Sequence, residues 1–267
     1  MATAVLTESQ HRPAEGEIVR YPDDGLAQIA LPQQRDTIAG TLDYIGSITR
    51  QDPPPDAGDF GTTRPYFTMT DRAATQAQGV FTVAGKVNAK VTFQVGSGGR
   101  ADIASATDPA ITQSNYPKVV SDLTPVTAAS SSLMKNQPPR TTFWAEDLTI
   151  RHERFHAAED VSFGQSGTAA AQTWLHAQTA RSYDEIGALF APALQKVVAH
   201  VDAAMAPPGR EERAYADGAA DYRARAQAIK SKGDASAYVP APPTPPQTVS
   251  PMPVPTVPTP APQTPGK

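Results

Sequence analysis

The sequence predicts an α+β fold in which a small antiparallel sheet is followed by a helical half and a proline-rich tail. Apolar and polar side chains alternate within residues 64–135, which is typical of strands that bury one face. Within residues 140–232 the apolar spacing changes to about 3.6 residues, the period of a helix. Of the 27 prolines, 12 lie after Tyr238. The predicted parts are a weakly ordered region at 1–60, a domain at 61–235 (sheet 64–135, helices 142–232) and a disordered tail at 236–267.

The composition limits the functions open to this chain. The 267 residues carry a formal net charge of −4 and contain no basic run, so we expect no nucleic-acid partner. No cysteine is present, which excludes disulfides, thiolate metal ligands and cysteine nucleophiles. No apolar stretch approaches about 18 residues, so we expect no membrane span, and the first residues do not resemble a secretory signal peptide. We therefore expect a cytoplasmic protein by default, while export by a route without a signal peptide would leave no mark in these patterns.

The predicted sheet begins after the weakly ordered region, where three consecutive prolines at 53–55 predict a loop. The clearest strand covers residues 87–95, because five apolar residues occupy every second position there. A turn is predicted at 84–86, before this strand, and the glycine-rich residues 96–99 end it. Further extended segments are predicted at 17–21, 42–49, 66–70, 80–83, 101–105 and 118–123.

The helical half is predicted to contain four helices, at about 142–162, 167–180, 183–205 and 209–231. Ser182 and Glu185 form a capping-box pattern at the start of the third helix. Pro192 lies inside that helix and predicts a kink or a division, because proline lacks the N–H group that the helix uses.

The tail contains mainly Pro, Thr, Val, Ala and Gln, and no aromatic residue follows Tyr238. This composition cannot build a core and predicts an extended polyproline II or disordered segment. We favour a solvated segment without a dedicated partner. The alternative is a docking segment for a protein partner with a proline-binding module.

One motif in the first predicted helix carries chemistry: residues 152–156 read His-Glu-Arg-Phe-His, a His-Glu-x-x-His pattern. Residues four apart lie on one helix face, about 40° apart around the axis, so His152 and His156 can bind one Zn²⁺. Glu153 lies beside that face, where its carboxylate can take a proton from a zinc-bound water without being a ligand. Apolar residues on several sides of this helix predict that it is buried, and buried imidazoles need a partner. The pattern therefore predicts a zinc site with Glu153 as the general base.

The motif resembles that of the zincin metallopeptidases. Ile150 and Thr149 before the first His, and Ala157 and Ala158 after the second, fit the longer pattern of that family. Arg154 departs from the pattern, because the family usually has an uncharged residue there. Zincins also place a small sheet before the motif helix, and the edge strand of that sheet aligns the peptide substrate. The resemblance, which covers about residues 64–232, implies the same arrangement here.

The resemblance also implies a third metal ligand. The chain lacks the later His of a metzincin, so it resembles the gluzincins, which supply a Glu from a later helix. Glu211 is the first candidate, because residues 211–214 (Glu-Glu-Arg-Ala) resemble the E-x-x-A segment of small bacterial gluzincins. Glu212 is the second candidate. Glu159 is the third, since it lies about 10 Å along the helix axis from His152. Both Glu211 and Glu212 are also explained as acidic residues favoured in the first turn of a helix.

Together the motif and the resemblance predict a zinc-dependent metallopeptidase that hydrolyses a peptide or protein substrate. His152, His156 and Glu211 are the expected zinc ligands, and Glu153 assists the attack of the zinc-bound water. The alternative function is that of a non-catalytic binding or structural accessory protein of a bacterial assembly, docked through the tail.

Four other residues could contribute to a site but have simpler explanations. Tyr215 and Tyr222 share a helical stripe with Glu211, and either phenol could hydrogen-bond an oxyanion, although we favour core positions for both. For His176 and His200 we expect packed or surface positions.

Overall fold

The structure is a computed structural model that describes residues 18–20, 34–51, 60–126 and 136–239. Within these residues it has the predicted α+β architecture, with a five-stranded sheet, a two-stranded sheet and four helices. The predicted proline loop at 53–55 and the predicted tail from residue 240 onward lie outside the described residues. The elements are β1 (Val19–Arg20), β2 (Asp36–Arg50), β3 (Gly61–Ala77), β4 (Val80–Val95), β5 (Ala101–Asp102), α1 (Tyr116–Leu123), β6 (Phe143–Trp144), α2 (Glu146–His176), β7 (Thr179–Ala180), α3 (Tyr183–Met205) and α4 (Arg210–Asp234).

The larger sheet has the strand order β1-β3-β4-β2-β7 and is mostly antiparallel. Antiparallel pairs join β1 to β3, β3 to β4 and β2 to β7, whereas β2 and β4 run parallel. The hairpin of β3 and β4 adds to the sheet through β4, so β4 pairs with a strand on each side. Strands β5 and β6 form the small parallel sheet.

The alternation that predicts a strand at 87–95 is confirmed by burial. All five of its apolar side chains are buried in the interior: Val87, Ala89, Val91, Phe93 and Val95. The predicted turn at 84–86 is wrong, because Gly85 pairs with Leu42 of β2 and the strand continues through it. Pairing with strands on both sides keeps this segment extended, and the local sequence carries no sign of those partners.

The hairpin turn lies at Gln78 and Gly79 instead. Their φ angles are 51° and 75°, the left-handed region that the common two-residue hairpin turns require at both central positions. Glycine reaches this region without strain, which explains the position of Gly79.

Strand β2 lies in the region that was predicted to be weakly ordered. It forms an interior strand of the sheet between β4 and β7. Helix α2 covers part of its outer edge: Leu42 N donates to Gln172 Oε1 at 2.9 Å, and His176 Nε2 donates to Gly40 O at 2.9 Å. These long-range contacts stabilise a segment whose own pattern is weak, and they give His176 the surface position that we expected.

Helix α2 is continuous over 31 residues, so the predicted break between 162 and 167 is wrong. Gly164 and Gly167, at the position of the predicted break, are both buried. A Cβ atom on Gly164 would lie 2.6 Å from Tyr44 Oη, and one on Gly167 would lie 3.1 Å from the Val197 carbonyl oxygen. The two glycines therefore allow β2 and α3 to approach the helix closely.

Helix α3 begins as predicted, since Ser182 Oγ accepts a hydrogen bond from Glu185 N at 3.2 Å. The helix continues through Pro192 and is not divided. The predicted extended segment at 118–123 is wrong, because it belongs to helix α1. Val119 and Leu123 are four residues apart and both buried, so this apolar run has a helical period.

Two apolar clusters form the core. The first lies between the larger sheet, the second half of α2, and α3; the second lies between α1, the start of α2, and α4. Helix α2 takes part in both, and its polar middle section lies between them. Among the described residues, no helix combines the length and apolar character needed to cross a membrane.

Candidate metal centre

The first half of α2 presents His152 and His156 one helical turn apart on its buried side. Their exposed fractions are 8% and 4%. The two Nε2 atoms lie 3.1 Å apart, and the ring planes are nearly perpendicular, at 87°. The helix period thus brings the two imidazoles together as the motif predicts.

Glu211 reaches the same point from the first turn of α4. Its Oε1 lies 3.0 Å from His156 Nε2, and its Oε2 lies 3.2 Å from His152 Nε2. Hydrogen bonds from the two imidazoles hold the pKa of the Glu211 carboxyl far below its usual value, so the carboxylate is ionised. His152, His156 and Glu211 could therefore hold a metal ion, since each presents one ligand atom to a common point.

The donor set fits a metal ion. Around a tetrahedral zinc with bonds of about 2.0–2.2 Å, ligand atoms are separated by roughly 3.3–3.6 Å. The three separations here are 3.0, 3.1 and 3.2 Å, so shifts of a few tenths of an ångström would suffice. Two imidazoles and one carboxylate suit zinc among several transition metals.

The other two candidate ligands lie elsewhere. Glu159 Oε2 is 3.7 Å from His156 Nδ1, the ring nitrogen that faces away from Glu211. Burial alone would raise the pKa of Glu159, but Arg213 and Arg210 outweigh that effect and lower it. Its oxygens accept hydrogen bonds from Arg210 and Arg213, and the 3.7 Å separation from His156 Nδ1 is too long for a hydrogen bond. Glu212 is not part of the cluster.

Glu153 lies beside the cluster and is 5% exposed. Its Oε2 accepts a hydrogen bond from Thr63 Oγ1 at 2.7 Å, and its Oε1 is 3.9 Å from His152 Nε2. The start of β3 packs directly on this carboxylate, and a Cβ atom on Gly61 would overlap it. The sheet therefore holds Glu153 close to the histidines but outside the ligand set.

Arg210 connects the start of α4 to α2. Its guanidinium donates to the Asp160 carboxylate, to Glu159 Oε2 at 3.1 Å and to the His156 carbonyl oxygen at 3.0 Å. Burial raises the pKa of Asp160 to about 6, against the opposing effect of Arg210. Because Arg210 immediately precedes Glu211, these contacts fix the position from which Glu211 reaches the histidines.

The cluster opens into a cavity of about 470 Å³ between β3, α2, α4 and the loop before β6. The residues that line it include Thr63, Arg140, His152, Glu153, Glu211 and Tyr215. Tyr222, by contrast, packs in the second apolar cluster, as we favoured. His200, near the end of α3, is half-buried.

Tyr215 and Arg140 form one wall of this cavity. The Tyr215 ring lies 4.2 Å from the His152 ring between centroids, and Arg140 Nη2 donates to the Tyr215 hydroxyl oxygen at 2.7 Å. Burial raises the pKa of Tyr215, so the phenol keeps its proton. Sequence reasoning missed Arg140 and Thr63. No motif surrounds either residue, and only the folded arrangement brings them to the site.

Comparisons of the chain with profiles of protein families, with curated proteins and with solved structures find no match. Its function must therefore be argued from its own residues.

Proposed function

We propose that this protein is a zinc-dependent metallopeptidase. The observation that supports the proposal most strongly is the convergence of His152, His156 and Glu211 at the bottom of an open cavity. Three protein ligands next to open space are typical of catalytic zinc sites, whereas structural sites are closed by four protein ligands. This geometry favours an enzyme over a structural accessory protein.

His152, His156 and Glu211 would hold the zinc ion, as their separations allow. When bound, zinc polarises a carbonyl group and lowers the pKa of water to about 7. Arg210 acts on the same site indirectly, because its bonds to Asp160, to Glu159 and to the His156 carbonyl keep the first turn of α4 against α2.

Glu153 is the general base in this proposal. Its Oε2 is held by Thr63, which leaves Oε1 on the side of His152. A carboxylate fixed in this way can take a proton from the attacking water and later give it to the leaving amine. The packing of Gly61 against the side chain limits its motion.

Tyr215 is placed to stabilise the negative charge that develops on the carbonyl oxygen. Arg140 already donates to the Tyr215 oxygen, so the phenol proton is free to point into the cavity. A donor that is fixed before the reaction stabilises such a charge without reorganisation.

The edge of β3 offers a surface for the peptide. Of the described strands, only β1 pairs with that edge, at Ala73 and Ala74. The segment from Gly61 to Thr70 pairs only with β4, and its first residues line the cavity. An extended peptide could add to this edge through backbone hydrogen bonds, with its scissile bond near Glu153.

The test is hydrolysis of a mixed peptide library by zinc-loaded protein. We expect Glu153→Gln to retain about one zinc per chain and to lose activity by a factor on the order of 10² or more, the usual effect of removing a general base. Glu212→Gln is the matched control, because Glu212 is outside the cluster, and it should behave as the wild type. If Glu153→Gln hydrolyses peptides at the wild-type rate, the proposed function is wrong.

A further inference from the structure

Arg140 is a buried cation without a carboxylate partner among the described residues. It is 2% exposed and lines the cavity. Its guanidinium donates one hydrogen bond to described residues, at Tyr215, while its Nε is buried and has no partner. The partly buried Arg210 and Arg225 differ, since both pair with aspartates.

Burying the Arg140 guanidinium in this way costs free energy, and the surrounding residues hold it in place. A guanidinium removed from water without an anion loses solvation that one hydrogen bond and a ring contact replace only in part. Arg140 also has a φ of 48°, a region that non-glycine residues rarely adopt. Its guanidinium stacks on Phe60 at 4.1 Å from the ring centroid, and its backbone N donates to the Asp122 carbonyl oxygen at 3.1 Å.

The Asp122 side chain fixes the same loop. Its Oδ2 accepts hydrogen bonds from Thr142 N at 2.8 Å and Phe143 N at 3.0 Å. The loop is therefore held at Arg140 itself and at the residues that follow it. Strain and unsatisfied polar groups that the surrounding structure maintains in this way are typical of functional positions.

We propose that Arg140 binds a carboxylate group of the substrate beside the metal centre and so selects peptides that present one there. The proposal rests on the proposed peptidase function. A guanidinium matches a carboxylate with two parallel hydrogen bonds, and the pairing is strong where water is excluded. The contact of Tyr215 with His152 on one side and Arg140 on the other places this carboxylate next to the reacting bond.

The other charged side chains of the cavity do not bind the substrate carboxylate in this proposal, because each already has a partner or carries a negative charge. Arg210 is already bound to Asp160 and Glu159. Glu211 faces the two imidazoles, and Glu153 is held by Thr63, so neither carboxylate pairs with Arg140. The substrate carboxylate can be the C-terminal α-carboxylate or the side chain of Asp or Glu, because the guanidinium recognises the same group in each.

The test uses synthetic hexapeptides of one sequence and calorimetric binding to the zinc-loaded Glu153→Gln variant, which does not consume them. One arm compares a free C-terminus with an amidated one, and the other compares internal Glu with internal Gln in amidated peptides. We expect one carboxylate form to bind at least about tenfold more tightly than its neutral partner. The arm that shows the difference identifies the source. Equal binding of the two peptides in both arms, or no binding at all, overturns the proposal. This outcome is decisive without any Arg140 variant.

Adding Arg140→Gln to Glu153→Gln should reduce that preference to about one, and Arg140→Lys should restore only part of it, because an ammonium lacks the planar fork. Arg181→Gln is the matched control, since Arg181 is exposed between β7 and α3, does not line the cavity, and the substitution removes the same charge. A preference that survives Arg140→Gln in protein with unchanged zinc content overturns the assignment. The binding preference without any hydrolysis by the wild type would refute the peptidase function and leave the Arg140 site standing.

Discussion

The two halves of helix α2 bury different kinds of side chain. In the first half, at 146–160, the buried side includes Thr149, His152, Glu153, His156 and Asp160. In the second half, at 164–176, it includes small or apolar residues such as Gly164, Ala171 and Leu175. The second half is stabilised by close packing against the sheet and α3, whereas the first depends on partners from α4 and β3.

This difference separates function from stability along one helix. A buried polar group that is paired generally contributes less net stability than packed apolar groups of similar volume. Changes in the first half should therefore affect metal binding and activity more than folding. Changes in the second half should do the reverse, and this comparison can be tested directly.

The largest effect is expected for the candidate ligands. Replacing both His152 and His156 by Ala should reduce bound zinc from about one per chain to near zero, because two of three ligands are lost. Glu211→Ala should also weaken zinc binding strongly. Without metal, the double His variant should lose less free energy of unfolding than Leu175→Ala does, because Glu211 is half exposed and its carboxylate can be hydrated once the imidazoles are gone. Elemental analysis and urea unfolding in the presence of a chelator measure the two quantities.

Glu159→Ala and Glu212→Ala are the controls for the ligand assignment. Glu159 lies on the far side of the His156 ring, so its loss should reduce zinc affinity only mildly. Glu212→Ala should have no measurable effect. Stoichiometric zinc in the double His variant would mean that the metal binds elsewhere and would remove the basis of the comparison.

The second effect belongs to the apolar half. Leu175→Ala should lower the free energy of unfolding by about 2–5 kcal/mol, because it leaves a cavity in the first core cluster where Leu175 is almost fully buried. Zinc content of the folded protein should not change. Denaturant unfolding and elemental analysis of the same sample check both points, and loss of zinc from folded Leu175→Ala would show that the two halves are coupled.

The smallest effect concerns Asp122, a buried carboxylate of helix α1 that supports the loop carrying Arg140. Burial alone would raise its pKa, but Lys118 and the backbone N–H groups of the loop outweigh this and lower the pKa to about 2. Since the pKa is lower in the folded state than the usual 3.8, ionised Asp122 stabilises the fold above about pH 4. That stabilisation, of about 2 kcal/mol, is lost as the pH falls from about 4 to about 2.

Asp122→Ala should therefore unfold more easily than the wild type at pH 7, and the difference should shrink below pH 4. Denaturant unfolding of both proteins, measured from pH 7 to pH 2, tests this prediction. Asp43→Ala, on the exposed part of β2, is the control and should change stability by less than about 0.5 kcal/mol. A constant difference between wild type and Asp122→Ala from pH 7 to pH 2 would show that Asp122 acts through packing and not through its charge.

Several elements could be predicted because their pattern is local. The five alternating apolar residues of β4 and the capping box at Ser182 depend on neighbours within a few positions, and both are confirmed. Local patterns failed where distant segments decide. The break predicted between 162 and 167 is absent, and the small residues there, Gly164 and Gly167, allow β2 and α3 to approach α2 closely. The extended segment predicted at 42–49 is confirmed, but the strand is longer, at 36–50, because it pairs with β4 and contacts α2.

The same division applies to the candidate site. The sequence by itself determined that His152 and His156 share one face of a helix with Glu153 beside it, because the spacing of 3.6 residues per turn follows from backbone hydrogen bonds alone. Resemblance to a family suggested Glu211, and its approach to the imidazoles depends on how α4 packs on α2 through Arg210. Only the tertiary structure brought Arg140 and Thr63 to the cavity. Their positions result from packing between segments far apart in the chain, which no local pattern encodes.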